Sequence, residues 1–145
     1  MRAALEEAEL AFNEGEVPVG AVVVLDDRVI GRGHNQTERS GQPFEHAEMR
    51  ALWEATQTAG VRALEQAVLY CTIEPCVMCI GAVILARLPR VVFGAREPRT
   101  GACESIFNIP NEPRLMQRIA VIGGVEEEKC RALMQRFFAA RRPAI

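Results

Sequence analysis

Two patterns of apolar residues alternate along the chain, one at helical spacing and one in short continuous runs. Residues 3–14 follow the helical spacing, and Gly15 is suited to end that helix. The apolar runs at 18–25 and 28–32 are separated only by Asp26 and Asp27, which predicts a β-hairpin. By the same criteria we predict strands at 67–72, 90–93 and 119–122. Helices are predicted at 46–60 and at 75–87, the latter with Pro75 in its first turn. A last helix is predicted where apolar residues recur at helical spacing, namely at Cys130, Leu133, Met134, Phe137 and Phe138.

The segments between these elements are polar and rich in turn-forming residues. Residues 33–44 and residues 94–118, the latter with three prolines, are predicted to be irregular. Strands that alternate with helices predict an α/β fold, a three-layer α/β/α sandwich with a central mixed five-stranded sheet, in which a hairpin precedes parallel strands joined by right-handed helical crossovers. Because ligands bind at the carboxyl ends of such strands, His46 and the Pro75-Cys76 turn are expected to meet there.

Length and composition predict one domain over residues 1–145. No apolar run is long enough to cross a bilayer, and Glu6 and Glu7 stand where a signal peptide needs apolar residues. We therefore expect a cytoplasmic protein with no membrane partner. In a reducing compartment its five cysteines are expected to be thiols or metal ligands and not disulfides.

Charge is distributed unevenly although the net charge is only −2. Residues 1–85 carry six arginines against thirteen acidic residues, whereas residues 86–118 carry six arginines against three. The basic part could face phosphates, or its arginines could simply be solvated. Charge alone favours the solvated arginines.

The strongest chemical signal combines two short motifs. The spacing Cys76-Val77-Met78-Cys79 by itself is not specific, because it occurs in structural zinc sites and in thiol redox centres and also arises by chance. His46-Ala47-Glu48 at a predicted helix start changes the interpretation, because His46, Cys76 and Cys79 supply three metal ligands and leave one coordination position for water. We therefore predict one catalytic Zn²⁺ per chain, since a redox centre would leave His46 and Glu48 unexplained.

Glu48 is the predicted catalytic residue. Water attack on an aromatic C–NH₂ carbon requires a proton removed from water, one delivered to a ring nitrogen and one delivered to departing ammonia, and a single carboxylate can move all three. The combination of H-x-E with P-C-x-x-C is the known signature of zinc-dependent nucleobase deaminases, and this chain carries both motifs.

Blocks of sequence along nearly the whole chain resemble the bacterial tRNA adenosine deaminase family, which converts the wobble adenosine of an anticodon to inosine. The blocks are residues 16–21, Tyr70, Thr72, residues 74–79, 90–95 and 100–102, and Phe137-Phe138. The resemblance implies a cytidine deaminase-like fold, a tRNA anticodon loop as partner and a homodimer with the active site close to the partner subunit. It also implies substrate contacts from Val19, Asn35, Ala47, Glu74 and Pro75.

The chain departs from that family's pattern at Phe44-Glu45, Glu104 and Met116-Gln117, all in segments that could line an RNA path. The alternative function is therefore zinc-dependent deamination of a free base or nucleoside, of the guanine or cytosine type. A third hypothesis is a zinc-stabilised binding subunit without catalysis. Glu48 argues against it, because a structural site needs no such carboxylate.

The remaining notable residues are given structural roles. His34 is predicted to be a loop residue near the pocket mouth, and Cys103 a free thiol in a flexible loop. Cys71 and Cys130 lie on apolar faces and are expected in the core. Arg141 and Arg142 end the last helix, where they complement its dipole and can touch phosphate.

Overall fold

A mixed five-stranded sheet forms the centre of the molecule in the computed structural model, which describes residues 1–143. The last two residues of the domain predicted over 1–145 lie outside the described residues. The strands are β1 (Gly20–Leu25), β2 (Arg28–His34), β3 (Val68–Ile73), β4 (Arg90–Ala95) and β5 (Ala120–Ile122), in the spatial order β2-β1-β3-β4-β5. Asp26 and Asp27 both have positive φ, as a tight two-residue hairpin turn requires.

Helices cover both faces of this sheet, which confirms the predicted three-layer sandwich. They are α1 (Arg2–Asn13), the four-residue α2 (Thr37–Ser40), α3 (Ala47–Ala59), α4 (Val77–Ala86) and α5 (Glu127–Ala139). Helices α1 and α5 pack on one face, and α3 and α4 pack on the other. Among residues 1–143 no helix combines the length and apolar character that a bilayer crossing requires.

Glycines on the hairpin strands let the helices approach the sheet closely. A Cβ at Gly31 or Gly33 of β2 would collide with the backbone of α3, and a Cβ at Gly20 of β1 would collide with the backbone of α1. The main core fills the space between the sheet and the α3–α4 layer, and its largest fully buried side chains include Leu64, Leu69, Ile80, Leu88 and Phe93.

Three strand ends meet at one edge of the sheet. Strands β2 and β3 both run antiparallel to β1, and β4 runs parallel to β3, so β2, β3 and β4 point the same way. Residues 35–46 lead from the end of β2 into α3, residues 74–76 lead from β3 into α4, and residues 96–105 follow β4. The two central helices therefore begin at the same edge, as the alternation of elements predicts.

Four details differ from the sequence-based expectations. Strand β2 continues to His34, and the segment predicted as a loop contains α2. Two 3-10 turns, Val61–Gln66 and Ile109–Asn111, form where no element was predicted. Pro75 lies before α4 and not in its first turn, because Cys76 is the N-cap of this helix. Cys76 has extended backbone angles, and its carbonyl accepts the first helical hydrogen bond, from the N–H of Ile80.

Candidate metal centre and active site

His46, Cys76 and Cys79 come together where two helices begin. His46 is the N-cap of α3, Cys76 is the N-cap of α4, and Cys79 lies in the first turn of α4. The His46 Nδ1 atom lies 3.6 Å from Cys76 Sγ and 3.5 Å from Cys79 Sγ, and the three ligand atoms all lie within 4.8 Å of one another.

These distances fit a tetrahedral zinc ion. Zn–S bonds of about 2.3 Å and Zn–N bonds of about 2.0–2.1 Å place nitrogen and sulfur ligands roughly 3.5–3.6 Å apart. The donor set of two thiols and one imidazole is also one that zinc accepts in catalytic sites. The three residues therefore fit the metal that their sequence motif implies.

Hydrogen bonds within this group shift the pKa of its members in opposite directions. The hydrogen bond from Cys79 lowers the pKa of Cys76 to about 4, and the hydrogen bond to Cys76 raises the pKa of His46. The pKa of Cys79 is raised, first by the hydrogen bond to Cys76 and then by burial. A thiolate at Cys76 is the form that binds metal.

Glu48 lies beside the metal group in the first turn of α3 and is only 4% exposed. Burial raises the pKa of this carboxyl, which also contacts its own backbone N–H and Cys79. Because its pKa is raised, this carboxyl takes up a proton more readily than a solvated glutamate does, which suits a proton shuttle.

A cavity of about 250 Å³ opens above these residues. It is smaller than the roughly 300–1,000 Å³ pockets that hold drug-sized ligands, which suits a single base or nucleoside. Of the residues predicted to contact substrate, Val19, Asn35, Ala47 and Glu74 line the cavity, whereas Pro75 is not among its lining residues. Sequence reasoning did not single out the other lining residues as site residues, namely Val17, Thr37, Ile73, Glu97, Thr100 and Met134. Val17 and Thr100 carried a signal, because each belongs to one of the family-like blocks.

A buried glutamate organises one wall of this cavity. The carboxylate of Glu16, 1% exposed, accepts backbone N–H groups of Glu38 at 3.1 Å and Arg39 at 2.6 Å, and so fixes the first turn of α2. Asn35 donates its side-chain amide to Thr37 Oγ1 of α2 at 3.5 Å and its backbone N–H to the carbonyl of Val19 at 3.1 Å. The pocket side of the 35–46 segment is thereby held in place.

Glu74 organises a second part of the cavity wall. Its buried carboxylate accepts hydrogen bonds from the backbone N–H groups of Glu97, Cys103, Glu104 and Ser105 and from the Ser105 hydroxyl. Burial alone would raise the pKa of Glu74, but these hydrogen bonds outweigh it and hold the pKa below its usual range.

The structure corrects the expectations for His34 and Cys103. His34 is the last residue of β2 and not a loop residue. Its Nδ1 lies 2.9 Å from Oε2 of Glu7 in α1, and its Nε2 lies 3.0 Å from Oε2 of Glu14, which directly follows α1. Cys103 is 1% exposed and belongs to the main core, and burial raises its pKa to about 12. Cys71 and Cys130 are buried, as predicted.

Three of the five residues that depart from the family pattern have polar partners in the structure. Glu45 forms an ion pair with Arg50, and Glu104 lies 2.9 Å from Arg96, so both negative charges are balanced. Phe44 and Glu45 line a separate surface depression with Trp53 and not the cavity above Glu48. Gln117 donates to the carbonyl of Leu88 at 3.1 Å.

Comparison with known proteins agrees with this site. Residues 1–95 match the model of the cytidine and deoxycytidylate deaminase zinc-binding region. The chain therefore belongs to this family of zinc-binding deaminases. More particularly, it is 44% identical to the tRNA-specific adenosine deaminase of Streptococcus pyogenes serotype M18 over 95% of this chain and 87% of that protein. It is 43% identical to the tRNA-specific adenosine deaminase of Bacillus subtilis strain 168 over 95% of this chain and 86% of that protein.

Solved structures share the fold. One, from a study of A-to-I editing by tRNA deaminases at the wobble position of transfer RNA, superposes with a TM-score of 0.86 at 38% identity and covers 92% of this chain and 96% of that chain. A guanine deaminase from Nitrosomonas europaea superposes with a TM-score of 0.75, covering 94% of this chain and 81% of that chain, but at 24% identity it supports the fold alone.

Proposed function

We propose that this protein hydrolyses the amino group of adenosine at the wobble position of a tRNA anticodon loop, which yields inosine. The observation that carries the proposal is the metal group of His46, Cys76 and Cys79, which lies at a cavity that Glu48 also lines. The tRNA substrate is supported by relatives named as tRNA-specific adenosine deaminases that are 43–44% identical over 95% of the chain.

His46, Cys76 and Cys79 would hold one zinc ion per chain. When bound at a three-ligand site, zinc lowers the pKa of water from 15.7 to about 7, so that hydroxide is available near neutral pH. Cys76 and Cys79 belong to the start of α4, whose positive dipole end stabilises their thiolates.

Glu48 moves the protons of the reaction. It takes a proton from the attacking water and passes it to the ring nitrogen next to the amino-bearing carbon. It then takes the hydroxyl proton of the tetrahedral adduct and delivers it to the amino group, which leaves as ammonia while the C=O bond forms. Glu48 ends in its starting state, and one water is consumed for each ammonia released.

The cavity walls bind the base. Val19 and Ile73 offer apolar contacts, Asn35 offers a side-chain amide, and Ala47 offers backbone groups beside the metal ligands. Because the reacting residues lie on the cavity floor, a nucleotide within an RNA must be turned out of its stack to reach them.

A homodimer is part of the same proposal. Helix α4 contains no charged residue, yet Leu85 on it is 86% exposed and Val77 is 50% exposed. Apolar side chains exposed on a helix without charges suit an interface between two copies of the chain. We also propose a cytoplasmic location, which a tRNA substrate supports.

Deamination of an anticodon stem-loop tests this function. The zinc-loaded protein is incubated with a stem-loop carrying adenosine at the wobble position, with a stem-loop whose adenosine lies elsewhere in the loop, and with free adenosine, guanine and cytosine. We expect inosine only at the wobble position, and we expect binding to weaken steeply between 50 and 200 mM salt, by roughly 10³-fold or more if six or more phosphates are contacted. Turnover of free bases alone would overturn the tRNA assignment.

The Glu48→Gln variant tests the mechanism in the same assay. We expect it to keep its zinc and to lose about 10²-fold or more in rate, because the amide cannot move protons. Glu6→Gln, at a 71%-exposed side chain of α1, is the matched control and should retain full activity. Unchanged activity of Glu48→Gln would remove Glu48 from the mechanism.

A further inference from the structure

The carboxylate of Glu74 has no acceptor position left for a ligand. Its Oε1 accepts the N–H of Glu97 at 3.2 Å and the hydroxyl of Ser105, and its Oε2 accepts the N–H groups of Cys103 at 3.1 Å, Glu104 at 2.9 Å and Ser105 at 3.0 Å. An ionised carboxylate offers about four lone-pair sites, and five donors already point at this one. Glu74 lines the cavity, but its oxygens are used within the chain.

All five donors belong to one segment, residues 97–105. This segment follows β4 and forms no regular helix or strand, so tertiary contacts must fix its course. Backbone contacts add to those of Glu74, because the N–H of Ala102 donates to the carbonyl of Pro75 at 2.9 Å and Gly101 forms an isolated β-bridge with Cys76. A Cβ at Gly101 would collide with the Glu74 carboxylate, so the chain passes as close to it as a glycine allows.

The same segment contributes part of the cavity wall. Glu97 and Thr100 line the cavity together with Val19 and Asn35, which come from other parts of the chain. The position of Glu97 and Thr100 relative to the metal group therefore depends on what ties residues 97–105 to the turn before α4.

We propose that Glu74 is a positioning residue that sets substrate affinity by holding residues 97–105 against the metal turn. It does not contact the substrate itself, unlike the role that the family resemblance implies. The proposal rests on the proposed function for the substrate used in its test, but the anchoring contact can be measured without substrate.

The test compares Glu74→Gln with the wild-type chain and with Glu128→Gln, a control at an exposed glutamate of α5. Glutamine keeps the size of the side chain but loses its charge and turns one acceptor into a donor that faces backbone N–H groups. We expect amide hydrogen exchange at residues 97 and 103–105 of the zinc-loaded protein to become at least about tenfold faster, because hydrogen bonds to a charged group are lost.

Kinetics on the anticodon stem-loop then separate positioning from a merely structural role. We expect zinc to stay at one per chain, KM to rise about tenfold, and kcat to change by less than about threefold, because the lost interaction binds ground state and transition state alike. A raised KM with unchanged exchange would mean that Glu74 touches the substrate. Faster exchange with unchanged KM and kcat would mean that it is structural only. Either result overturns the proposal.

A second variant keeps the test decisive if Glu74→Gln fails to fold or to bind zinc. Ser105→Ala removes one of the five donors and leaves the carboxylate in place, so exchange and KM should change in the same direction by a few-fold. An unchanged KM in Ser105→Ala would then overturn the proposal. If the wild-type chain does not deaminate the stem-loop, the proposed function fails by itself, and KM is measured on the base or nucleoside that is turned over.

Discussion

Three buried glutamates line the cavity or hold the segments that line it, and their partners give them different roles. Glu16 accepts backbone N–H groups at the start of α2, and Glu74 accepts five donors of residues 97–105. Glu48 lies beside Cys79 on the cavity floor, and burial raises its pKa. Two carboxylates thus shape the walls by accepting hydrogen bonds, and the third is suited to exchange protons with a bound base.

At the residue scale, zinc content separates the three ligands from the other cysteines. We expect His46→Ala, Cys76→Ala and Cys79→Ala each to fall far below the one zinc per chain of the wild type, because each removes one of only three protein ligands. Cys71→Ala and Cys103→Ala are matched controls and should keep the full zinc content, since both are core cysteines that do not belong to the group of His46, Cys76 and Cys79. The measurement is elemental analysis of protein purified without chelator. An equal loss of zinc from Cys103→Ala and Cys76→Ala would contradict the ligand set.

The metal group could be predicted from sequence because each of its residues lies in a short motif at a helix start. The hydrogen-bond partners of His34 could not be predicted, because Glu7 and Glu14 lie 27 and 20 positions earlier in the chain and only the fold brings them near. The burial of Cys103 could not be predicted for a related reason. Its surroundings look like an exposed loop in sequence, but Glu74, 29 positions earlier, binds its N–H and holds the segment in the core.

At the element scale, the site depends on where α3 lies against β2. A Cβ at Gly33 would collide with the carbonyl of Ala47 and the N–H of Ala51, in the turn of α3 that carries Glu48. A Cβ at Gly31 would collide with Ala51 and Ala55, one turn further from His46. Substitutions of these two glycines therefore test the packing of α3 on β2 at different distances from His46 and Glu48.

We expect Gly33→Ala and Gly31→Ala each to lower the free energy of unfolding by about 1–3 kcal/mol, because the backbone of α3 must move to admit the new methyl group. Urea denaturation of zinc-loaded protein measures this change. Only Gly33→Ala should also lose most of its deaminase activity, since it displaces the helix start that holds His46 and Glu48. Equal loss of activity in both variants, or an unchanged stability of Gly33→Ala, would contradict this account.

The long elements could be predicted from sequence because their apolar periodicity reflects burial directly. The strand and helix bounds are within about two residues of the periodic segments, as for α3 and β4. The short helix α2 has no such periodicity. It forms where the Glu16 carboxylate, 22 positions before Glu38, caps its first turn, and local sequence does not contain that information.

At the scale of the whole molecule, the exposed apolar side chains of α4 have no explanation within a single chain. Its inner side packs in the core through Cys79, Ile80 and Val83, whereas Leu85 and Val77 face outward. A helix without charged residues is expected to be covered on all sides. The cysteines at the start of α4 also belong to the metal group, so a second copy that covers α4 would lie near the active site.

Light scattering of the purified chain tests this arrangement. We expect a mass of about twice the 16.0 kDa of one chain at micromolar concentration. Leu85→Glu should shift the protein to monomer while its circular dichroism spectrum stays unchanged, because the interface would have to bury an unpaired carboxylate. Leu10→Glu, at a 47%-exposed leucine of α1 on the opposite side of the sheet, should remain dimeric. A monomeric wild-type chain would contradict the dimer, and dissociation of Leu10→Glu alone would place the interface on the α1 side.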